Sequence, residues 1–278
     1  MTPKQLLFLS IFSGALTAVS PAQDAYRIIT NEPLTESSID LNNDGILDRV
    51  TGPGPGGPPH VKVYDGTTEA IISQWFAYPV SFTGGVRVAV GDIGNDGNFD
   101  VVTGAGPGGA PLVAVWDPYT GALLAQFMAF DESFTGGVFV AIGAVMGDNI
   151  NHIIVGQGSG GSSMIKVFNF PTLDLLSSFD AFNSSTVGAS VGVIDPLGNG
   201  NFQILTGSGA GMIDTVNVYS GLGVLQQSIT PFGSDMNGVY VSSSVVVGAI
   251  PEPSTYAGIA GIGALGLALW KRKRGLVG

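Results

Sequence analysis

The chain contains no cysteine. A disulfide, a zinc–thiolate site and a cysteine nucleophile are therefore excluded, so stability must come from the core alone or from the core with bound metal. Basic residues are scarce as well: residues 23–250 hold five, against twenty acidic residues, for a formal net charge of −15. A surface this acidic disfavours nucleic acid and anionic lipid as partners and suits divalent cations.

The first 22 residues have the features of an export signal. Lys4 gives a positive start, residues 6–19 are mostly apolar, and Ser20 and Ala22 place small residues where a signal peptidase cleaves. We therefore predict an N-terminal signal helix over 1–22, cleaved after Ala22 and followed by a polar lead-in segment over 23–38. The alternative is a buried first helix.

The body of the chain is built from a repeat of about 52 residues. The stretch DIGNDGNFDVVTGAGPGG (92–109) matches DLNNDGILDRVTGPGPGG (40–57), and weaker copies start at Ala144 and Asp195. Each repeat contains four short apolar segments separated by Gly, Pro and Asp turns, which indicates four strands per repeat. We therefore predict an all-β fold over 39–248, a β-propeller of about four four-stranded blades.

Two features of the repeat bear on how the blades join. One aromatic residue recurs in each third strand, which predicts packing between neighbouring sheets rather than a ligand cage: Tyr64, Trp116, Phe168 and Tyr219. The first-strand pattern occurs five times but the other strands four times, so residues 239–247 form a spare strand. We predict that this strand completes the first blade and closes a four-bladed ring. An open arc that dimerises is the alternative.

The loop between the first and second strands has the residue spacing of a calcium site. Calcium takes about six to eight oxygen ligands, here from a loop that curls around the ion. In the first repeat, four side chains and one backbone carbonyl (that of Ile46) would supply them: Asp40, Asn42, Asp44, Ile46 and Asp48. The second repeat keeps part of this set, with Gly94 at the third position: Asp92, Asp96, Asn98 and Asp100.

The third and fourth loops retain too few of these residues for us to expect calcium there. The third keeps Asp148 alone, and the fourth has Asp195, Asn199 and Gln203. For all four loops, the alternative is an Asp- and Asn-rich turn that caps the strands without metal. The first two loops resemble the calcium loops of FG-GAP repeats, the blades of integrin α-subunit propellers and of many bacterial surface proteins. That resemblance, over about 38–247, implies a β-propeller with Ca²⁺ as its cofactor.

After residue 250 the sequence changes to a membrane-type pattern. Pro251, Glu252 and Pro253 precede an apolar run over 257–270 and a basic cluster over 271–274. As a helix, this run would span only ~21 Å, short of a comfortable crossing, and the basic cluster would stay cytoplasmic. We therefore predict a short transmembrane helix that acts as a temporary anchor.

The order and spacing of these C-terminal segments resemble the PEP-CTERM sorting signal, over residues 250–274. In that family an exosortase recognises the signal and processes the protein to the surface. The resemblance implies an exosortase partner, transient anchoring in the inner membrane, and display at the cell surface or in an extracellular matrix such as a biofilm. A plain single-span anchor is the alternative.

No catalytic constellation emerges from the sequence. His60 and His152 fall at unrelated repeat positions, and no G-x-S-x-G motif accompanies them. Exposed charge is the simpler interpretation of the acid pair Asp131 and Glu132, although such pairs serve glycosidases. Glycine-rich runs such as 104–109 lead into a strand rather than a helix, which indicates tight connections and not a phosphate cradle.

These observations together favour a binding protein over an enzyme. We predict an exported, calcium-stabilised, non-enzymatic propeller that binds a polysaccharide or a protein. A carbohydrate-active hydrolase or lyase on a propeller scaffold, and a purely structural matrix component, are the alternatives.

Overall fold

The computed structural model describes residues 7–8, 28–30, 36–184, 186–195 and 200–243. All regular structure within these ranges is β-sheet, as predicted. Within the same ranges, no helix is long and apolar enough to span a bilayer. The predicted membrane span over 257–270 and the basic tail over 271–274 lie outside the described residues, as does most of the predicted signal helix.

Nineteen strands occur in the described part of the chain. Two short ones come first, β1 (Leu7–Phe8) and β2 (Ile28–Thr30). The next eight are β3 (Glu36–Ile39), β4 (Asp48–Thr51), β5 (His60–Tyr64), β6 (Ile71–Phe76), β7 (Val86–Gly91), β8 (Asp100–Ala105), β9 (Leu112–Trp116) and β10 (Leu123–Met128). The last nine are β11 (Val138–Gly143), β12 (His152–Gln157), β13 (Met164–Phe168), β14 (Leu175–Asp180), β15 (Ala189–Ile194), β16 (Gln203–Ser208), β17 (Val216–Tyr219), β18 (Leu225–Ile229) and β19 (Tyr240–Val241).

Strands β3 to β18 form four antiparallel sheets of four strands, and each sheet keeps the order of the chain. Sequence and structure agree closely in the second repeat, whose four apolar segments, 86–90, 101–103, 112–116 and 123–130, form β7, β8, β9 and β10. Strand β8 is buried along its whole length, whereas β10 alternates between exposed and half-buried residues. The apolar second strand therefore lies inside the protein, and the fourth strand forms the outer edge.

The core lies between consecutive sheets. The first strands of the sheets contact each other in sequence, β3 with β7, β7 with β11, and β11 with β15. Each gap between neighbouring sheets holds its own cluster of buried apolar side chains, such as Val101 and Ala114 in one gap and Val113 and Val155 in the next. The sheets are thus packed face against face in the order of the chain.

A glycine within or directly after each second strand permits this close packing. A methyl group built on Gly104 would lie 2.7 Å from the carbonyl oxygen of Val138 in the next sheet, which is too close for any residue with a Cβ. The equivalent distances are 2.5 Å at Gly52 and 2.4 Å at Gly156. The recurring VTG-type sequence is therefore a packing requirement rather than a flexible turn.

Three of the four predicted aromatic residues, Trp116, Phe168 and Tyr219, pack against a ring of the preceding sheet. Trp75 of the first sheet lies 5.8 Å from Trp116 of the second, between ring centroids, and Phe127 lies 4.7 Å from Phe168 of the third. Trp116 also donates a hydrogen bond to Thr103 at 3.0 Å, so the buried indole N–H is satisfied. These rings are contacts between neighbouring sheets, which confirms the prediction for the second, third and fourth sheets, whereas Tyr64 of the first sheet contacts Arg49 of its own sheet.

The predicted closure of the first sheet by the spare strand is wrong. Strand β3 occupies that edge, because Glu36 to Ile39 pair with Asp48 to Thr51 in regular antiparallel register. Strand β19 instead contacts β15 and β16 and pairs with β2. The hydroxyl of Ser190 donates to the carbonyl of Val239 at 3.0 Å, so β19 continues the series of first strands. Residues 244–247 of the predicted spare strand lie outside the described residues.

The prediction of a helix throughout residues 1–22 is also wrong at residues 7–8, which are the described residues of this segment. Residues 7–8 form β1, which pairs with β2 and so completes a three-stranded sheet of order β1-β2-β19. Backbone pairing explains the difference, because an edge such as β2 presents unpaired N–H and C=O groups that an extended segment can satisfy.

We predict that Gly156→Ala destabilises the protein. The added methyl would lie 2.4 Å from the backbone oxygen of Ala189, so the two sheets must separate. Overpacking of this kind costs about 1–3 kcal/mol of unfolding free energy, measured by denaturant titration. Gly57→Ala is the control, because no atom lies within 4 Å of its added methyl. Equal stability of the two variants would contradict the packing role.

Candidate functional site

The strands reverse direction at each connection, so the loops fall on two opposite faces. Loops between first and second strands (40–47, 92–99 and 144–151) define the acidic-loop face. Loops between second and third strands (52–59, 106–111, 158–163 and 209–215), called the glycine-rich loops here, define the cavity face. Each face offers one candidate site.

The first acidic loop is held in a tight curl by its own side chains. The carboxylate of Asp40 accepts hydrogen bonds from the backbone N–H groups of Asp44, at 3.1 Å, and Gly45, at 2.9 Å. The side-chain oxygen of Asn42 accepts a further bond from Asp44 N–H at 3.0 Å. Gly45 has a φ of +86°, which glycine adopts without strain. The curl therefore places three predicted ligand residues on one short turn.

The carboxylate of Asp44 is tied to the neighbouring turn of the same sheet. It accepts hydrogen bonds from the hydroxyl of Thr67 at 2.6 Å and from the backbone N–H of Ile46 at 2.8 Å. The bond from Thr67, followed by that from Ile46, lowers the pKa of Asp44. Asp44 is therefore ionised at neutral pH.

The last acid of the first loop has a different position. Asp48 is fully buried and accepts hydrogen bonds from the backbone N–H groups of Leu41 and Gly66, both at 2.8 Å. It thereby ties the loop to the turn at the end of the third strand. Both oxygens of Asp48 therefore serve as caps for backbone groups.

The second loop repeats this arrangement with one difference. Asp92 accepts bonds from Asp96 N–H at 3.0 Å and Gly97 N–H at 3.1 Å. The amide of Asn95 does not fill the gap left by Gly94. It donates to the carbonyl of Asn149 at 2.6 Å and accepts from Asn151 N–H at 2.9 Å, so it links the second loop to the third.

The third and fourth loops lack the acidic set, as expected. His152 takes the place of the last acid, is buried, and has a pKa lowered by burial, with Asp148 at 3.4 Å acting in the opposite direction. In the fourth loop Asp195 accepts a bond from Gly200 N–H at 2.7 Å, and residues 196–199 lie outside the described residues.

The acidic loops provide oxygen atoms but not a closed cluster of acids. Within the ranges that the structure describes, no group of three or more His, Asp or Glu side chains is arranged to hold a metal ion. Asp40, Asn42 and Asp44 share one curl, whereas Asp48 and Asp100 turn into the protein. The turn-capping interpretation explains these bonds without metal, and calcium binding stays a prediction.

The cavity face holds a cavity of about 730 Å³, within the range of small-ligand sites. Residues from all four four-stranded sheets and from β19 line it. The glycine-rich loops interlock at its rim through bonds such as Gly106 N–H to the carbonyl of Gly85, at 3.0 Å. Each glycine-rich run leads into a strand, which confirms that these runs are tight connections.

One position near the start of β7, β11, β15 and β19 reaches this cavity: Arg87, Phe139, Ser190 and Tyr240. The guanidinium carbon of Arg87 lies 3.8 Å from the ring centre of Phe139, and its Nη1 donates to the carbonyl of Val138 at 3.1 Å. Phe139 in turn lies 5.8 Å from Tyr240, between ring centroids. Burial lowers the pKa of Arg87 to about 10, so it stays charged at neutral pH.

Sequence reasoning missed this group of four residues. They occupy one repeat position with four different side chains, and periodicity reveals shared residues rather than varied ones. The charge pattern could have pointed to Arg87. It is one of five basic residues within 23–250 and stands inside an apolar strand. Of the two histidines, His60 stacks on Phe76 at 4.7 Å within the first sheet, and His152 lies below the opposite face.

We predict that Asp100 makes the metal-free protein less stable as pH rises. Burial, assisted by Asp96 and Asp92, raises its pKa to about 6, against an unfolded value of about 3.9. Between these values the folded state holds a proton that the unfolded state has released, so stability falls as pH rises through this window. Asp100→Asn removes the effect and adds on the order of 2 kcal/mol of unfolding free energy at pH 7 relative to the wild type.

The measurement is thermal or denaturant unfolding in chelator from pH 4 to 7. Comparison with the wild type cancels the other titrating groups, such as His152. Glu132→Gln, which changes an exposed acid, is the control and should follow the wild-type profile. If the profiles of Asp100→Asn and the wild type run parallel, burial of Asp100 does not affect stability.

A family model identifies the C-terminal segment. Residues 249–273 match the PEP-CTERM protein-sorting motif, and the match includes Pro251, Glu252 and Pro253. This confirms the predicted sorting signal. The motif implies export, membrane-anchored sorting before display at the cell surface, and processing by an exosortase.

The described fold is similar to solved structures at low sequence identity. A rhamnogalacturonan lyase of Bacillus licheniformis is 14% identical with a TM-score of 0.50, and the match covers 74% of this chain and 43% of that one. A computationally designed protein, Ika8, is 22% identical with a TM-score of 0.40, and the match covers 69% of this chain and 48% of that one. The chain thus spans less than half the length of either structure. No curated protein sequence matches it.

The prediction that the protein is not an enzyme is contradicted by the first of these structures, because its fold carries a lyase. The error has a physical reason. Repeats are set by the residues that form the core, whereas catalytic groups lie on loops that vary between proteins of one fold. What is established is an all-β protein of successive four-stranded sheets that carries a PEP-CTERM sorting motif at residues 249–273.

Proposed function

We propose that this protein is an exported β-propeller that binds an extracellular polysaccharide in the cavity on its cavity face. The observation that carries the proposal is the cavity itself, about 730 Å³ in volume and lined by loops of all four four-stranded sheets. It combines three aromatic residues, Phe134, Phe139 and Tyr240, with the guanidinium of Arg87. Apolar rings beside a few fixed polar groups are typical of sites for organic ligands.

The propeller architecture is part of the same proposal. Four sheets of four strands follow one another with their first strands in contact, and β19 takes the next place in the series. Radial repetition of four-stranded sheets is the arrangement of a propeller, which places loops of every blade around one axis. A cavity lined by every repeat is the expected result.

Sorting through the PEP-CTERM motif supports an extracellular ligand. A protein carrying this motif passes through the membrane before display at the surface, where polysaccharides are abundant. The high negative charge of the body disfavours nucleic acid and anionic lipid.

A lyase is the second candidate, and the structural likeness to a rhamnogalacturonan lyase favours it. In such a reaction a base removes the proton beside a sugar carboxylate, the electron pair forms a carbon–carbon double bond, and the bond to the leaving sugar oxygen breaks. That oxygen takes up a proton. The new double bond absorbs ultraviolet light, so activity is measured directly on the same polysaccharides that are used for binding.

We further propose that the first two acidic loops bind calcium and stabilise the sheets around them. The shared curl of Asp40, Asn42 and Asp44, and its FG-GAP-like spacing, support the proposal. Bound calcium would connect the loop residues and would favour the ionised form of Asp100 over its protonated form.

We predict that calcium raises the melting temperature of the full-length protein and binds at about two sites. Ligands that bind only the folded state stabilise it by mass action. Calorimetric titration of the wild type, Asp44→Ala and Asp96→Ala measures the sites, and each variant should lose one. Asp131→Ala, in a loop outside the acidic set, is the control and should keep both. Absence of binding and of any melting shift would leave the acidic loops as caps without metal.

We predict that filling the mouth of the cavity abolishes polysaccharide binding. Ser159 is exposed and lines the cavity, so Ser159→Trp places an indole across it without changing the core. Thr172→Trp is the matched control, because Thr172 is exposed in the same repeat at the opposite face. Against a panel of neutral and acidic polysaccharides, Ser159→Trp should weaken binding about tenfold or more, which equals a loss of ~1.4 kcal/mol.

Two outcomes would contradict the proposal. Equal binding by Ser159→Trp and the wild type would place the ligand elsewhere, and failure of every polysaccharide to bind would overturn the function. Loss of binding in both tryptophan variants would mean that the ligand contacts both faces or that folding is impaired, and thermal melts separate these two.

A further inference from the structure

The charge in the cavity is opposite in sign to that of the protein as a whole. Among the described residues that line the cavity, Arg87 alone carries a formal charge. No ion pair joins it to a carboxylate of the described chain. Arg87 is half-buried, so part of its hydration is lost, and a ligand in the cavity that carries a negative charge would compensate this loss.

Two contacts position the guanidinium of Arg87, and the hydrogen bond among them occupies one of its nitrogen atoms. Its Cζ lies over the Phe139 ring, 3.8 Å from the ring centre, and one nitrogen donates to the carbonyl of Val138 at 3.1 Å. Arginine carries five N–H donors in a planar fork. The remaining donors fit the two oxygens of a carboxylate, which is planar as well.

Two glycine amides at the rim are already paired with protein carbonyls. Gly106 N–H donates to Gly85 at 3.0 Å, and Gly158 N–H donates to Gly137 at 2.8 Å. These bonds close the rim between neighbouring sheets and direct the amides towards protein carbonyls. These two amides are therefore not free to form an anion-binding nest, and Arg87 supplies the positive charge among the described lining residues.

The acidic loops are too far away to repel an anion strongly. Arg87 stands near the start of β7, and Asp92 follows the last residue of that strand. Five residues at ~3.4 Å each separate them by ~17 Å. The Debye length is ~8 Å at physiological ionic strength, so charges on the acidic-loop face are largely screened at the cavity.

We propose that the cavity recognises the carboxylate of a uronate sugar and that Arg87 determines this specificity. The inference rests on the proposed polysaccharide-binding function and narrows it to acidic polysaccharides. The ring of Phe139 and the aromatic Tyr240 would line the sugar, while Arg87 pairs with its carboxylate.

The test compares each polyuronate with the same polymer after chemical reduction of its carboxylates to alcohols. Polygalacturonate, alginate and hyaluronate are suitable probes, each paired with its reduced form. The full-length wild-type protein should bind at least one polyuronate about 10- to 100-fold more tightly than its reduced form, as expected for a charge-assisted hydrogen bond. Arg87→Met should abolish that preference, and Arg87→Lys should restore part of it.

Lys166→Met is the matched control, which shows whether loss of a half-buried cation changes binding only by destabilising the fold. Lys166 stacks on Phe130 at 4.9 Å and donates to the carbonyl of Ala129 at 2.9 Å, so its setting resembles that of Arg87 but lies outside the cavity lining. It should keep the preference for the carboxylate form even if it melts at a lower temperature.

The possible results separate this inference from the function on which it rests. Equal binding of the acidic and reduced forms, or a preference that survives Arg87→Met, would overturn the carboxylate site while leaving polysaccharide binding intact. Binding of neutral polysaccharides alone would do the same. If no polymer binds in either form, the proposed function fails, and the carboxylate site fails with it.

Discussion

The fold depends on a contact that only glycine permits, between the second strand of one sheet and the first strand of the next. At the four equivalent glycines, 52, 104, 156 and 207, an added methyl would lie between 2.3 and 2.7 Å from a carbonyl oxygen. Because the spacing is the same each time, each sheet adds to the last in the same way. The contact of Gly207 with Val239 extends the series to β19, which therefore continues the array instead of returning to the first sheet.

This packing places the acidic loops and the cavity at opposite ends of the strands. The first two loops that follow first strands carry acids whose carboxylates cap backbone N–H groups, as at Asp40 and Asp92. The loops that follow second strands are glycine-rich because neighbouring backbones approach closely, and there the cavity forms. A length of ~17 Å along β7 separates the second acidic loop from Arg87, which is the charged residue among the described residues that line the cavity.

Much of the fold could be predicted because repetition makes the packing residues visible. The strands of the second repeat and the ring contact of Trp116 follow directly from the repeated pattern. The position of β19 could not be predicted, because strand pairing depends on which edge is free, and a weak sequence such as residues 36–39 still occupies its edge. The cavity group around Arg87 was missed since its members differ in every repeat, and the burial of Asp48 becomes visible only when its partners Leu41 and Gly66 are placed.

The most direct measurement is hydrogen–deuterium exchange of the full-length protein with and without a bound polysaccharide. Amides of the glycine-rich loops at 106–111 and 158–163, and of the first residues of β7 and β11, should exchange more slowly in the complex. The acidic loops at 40–47 and 92–99 should be unchanged. Protection confined to the acidic loops, or spread evenly over both faces, would contradict a binding site in the cavity.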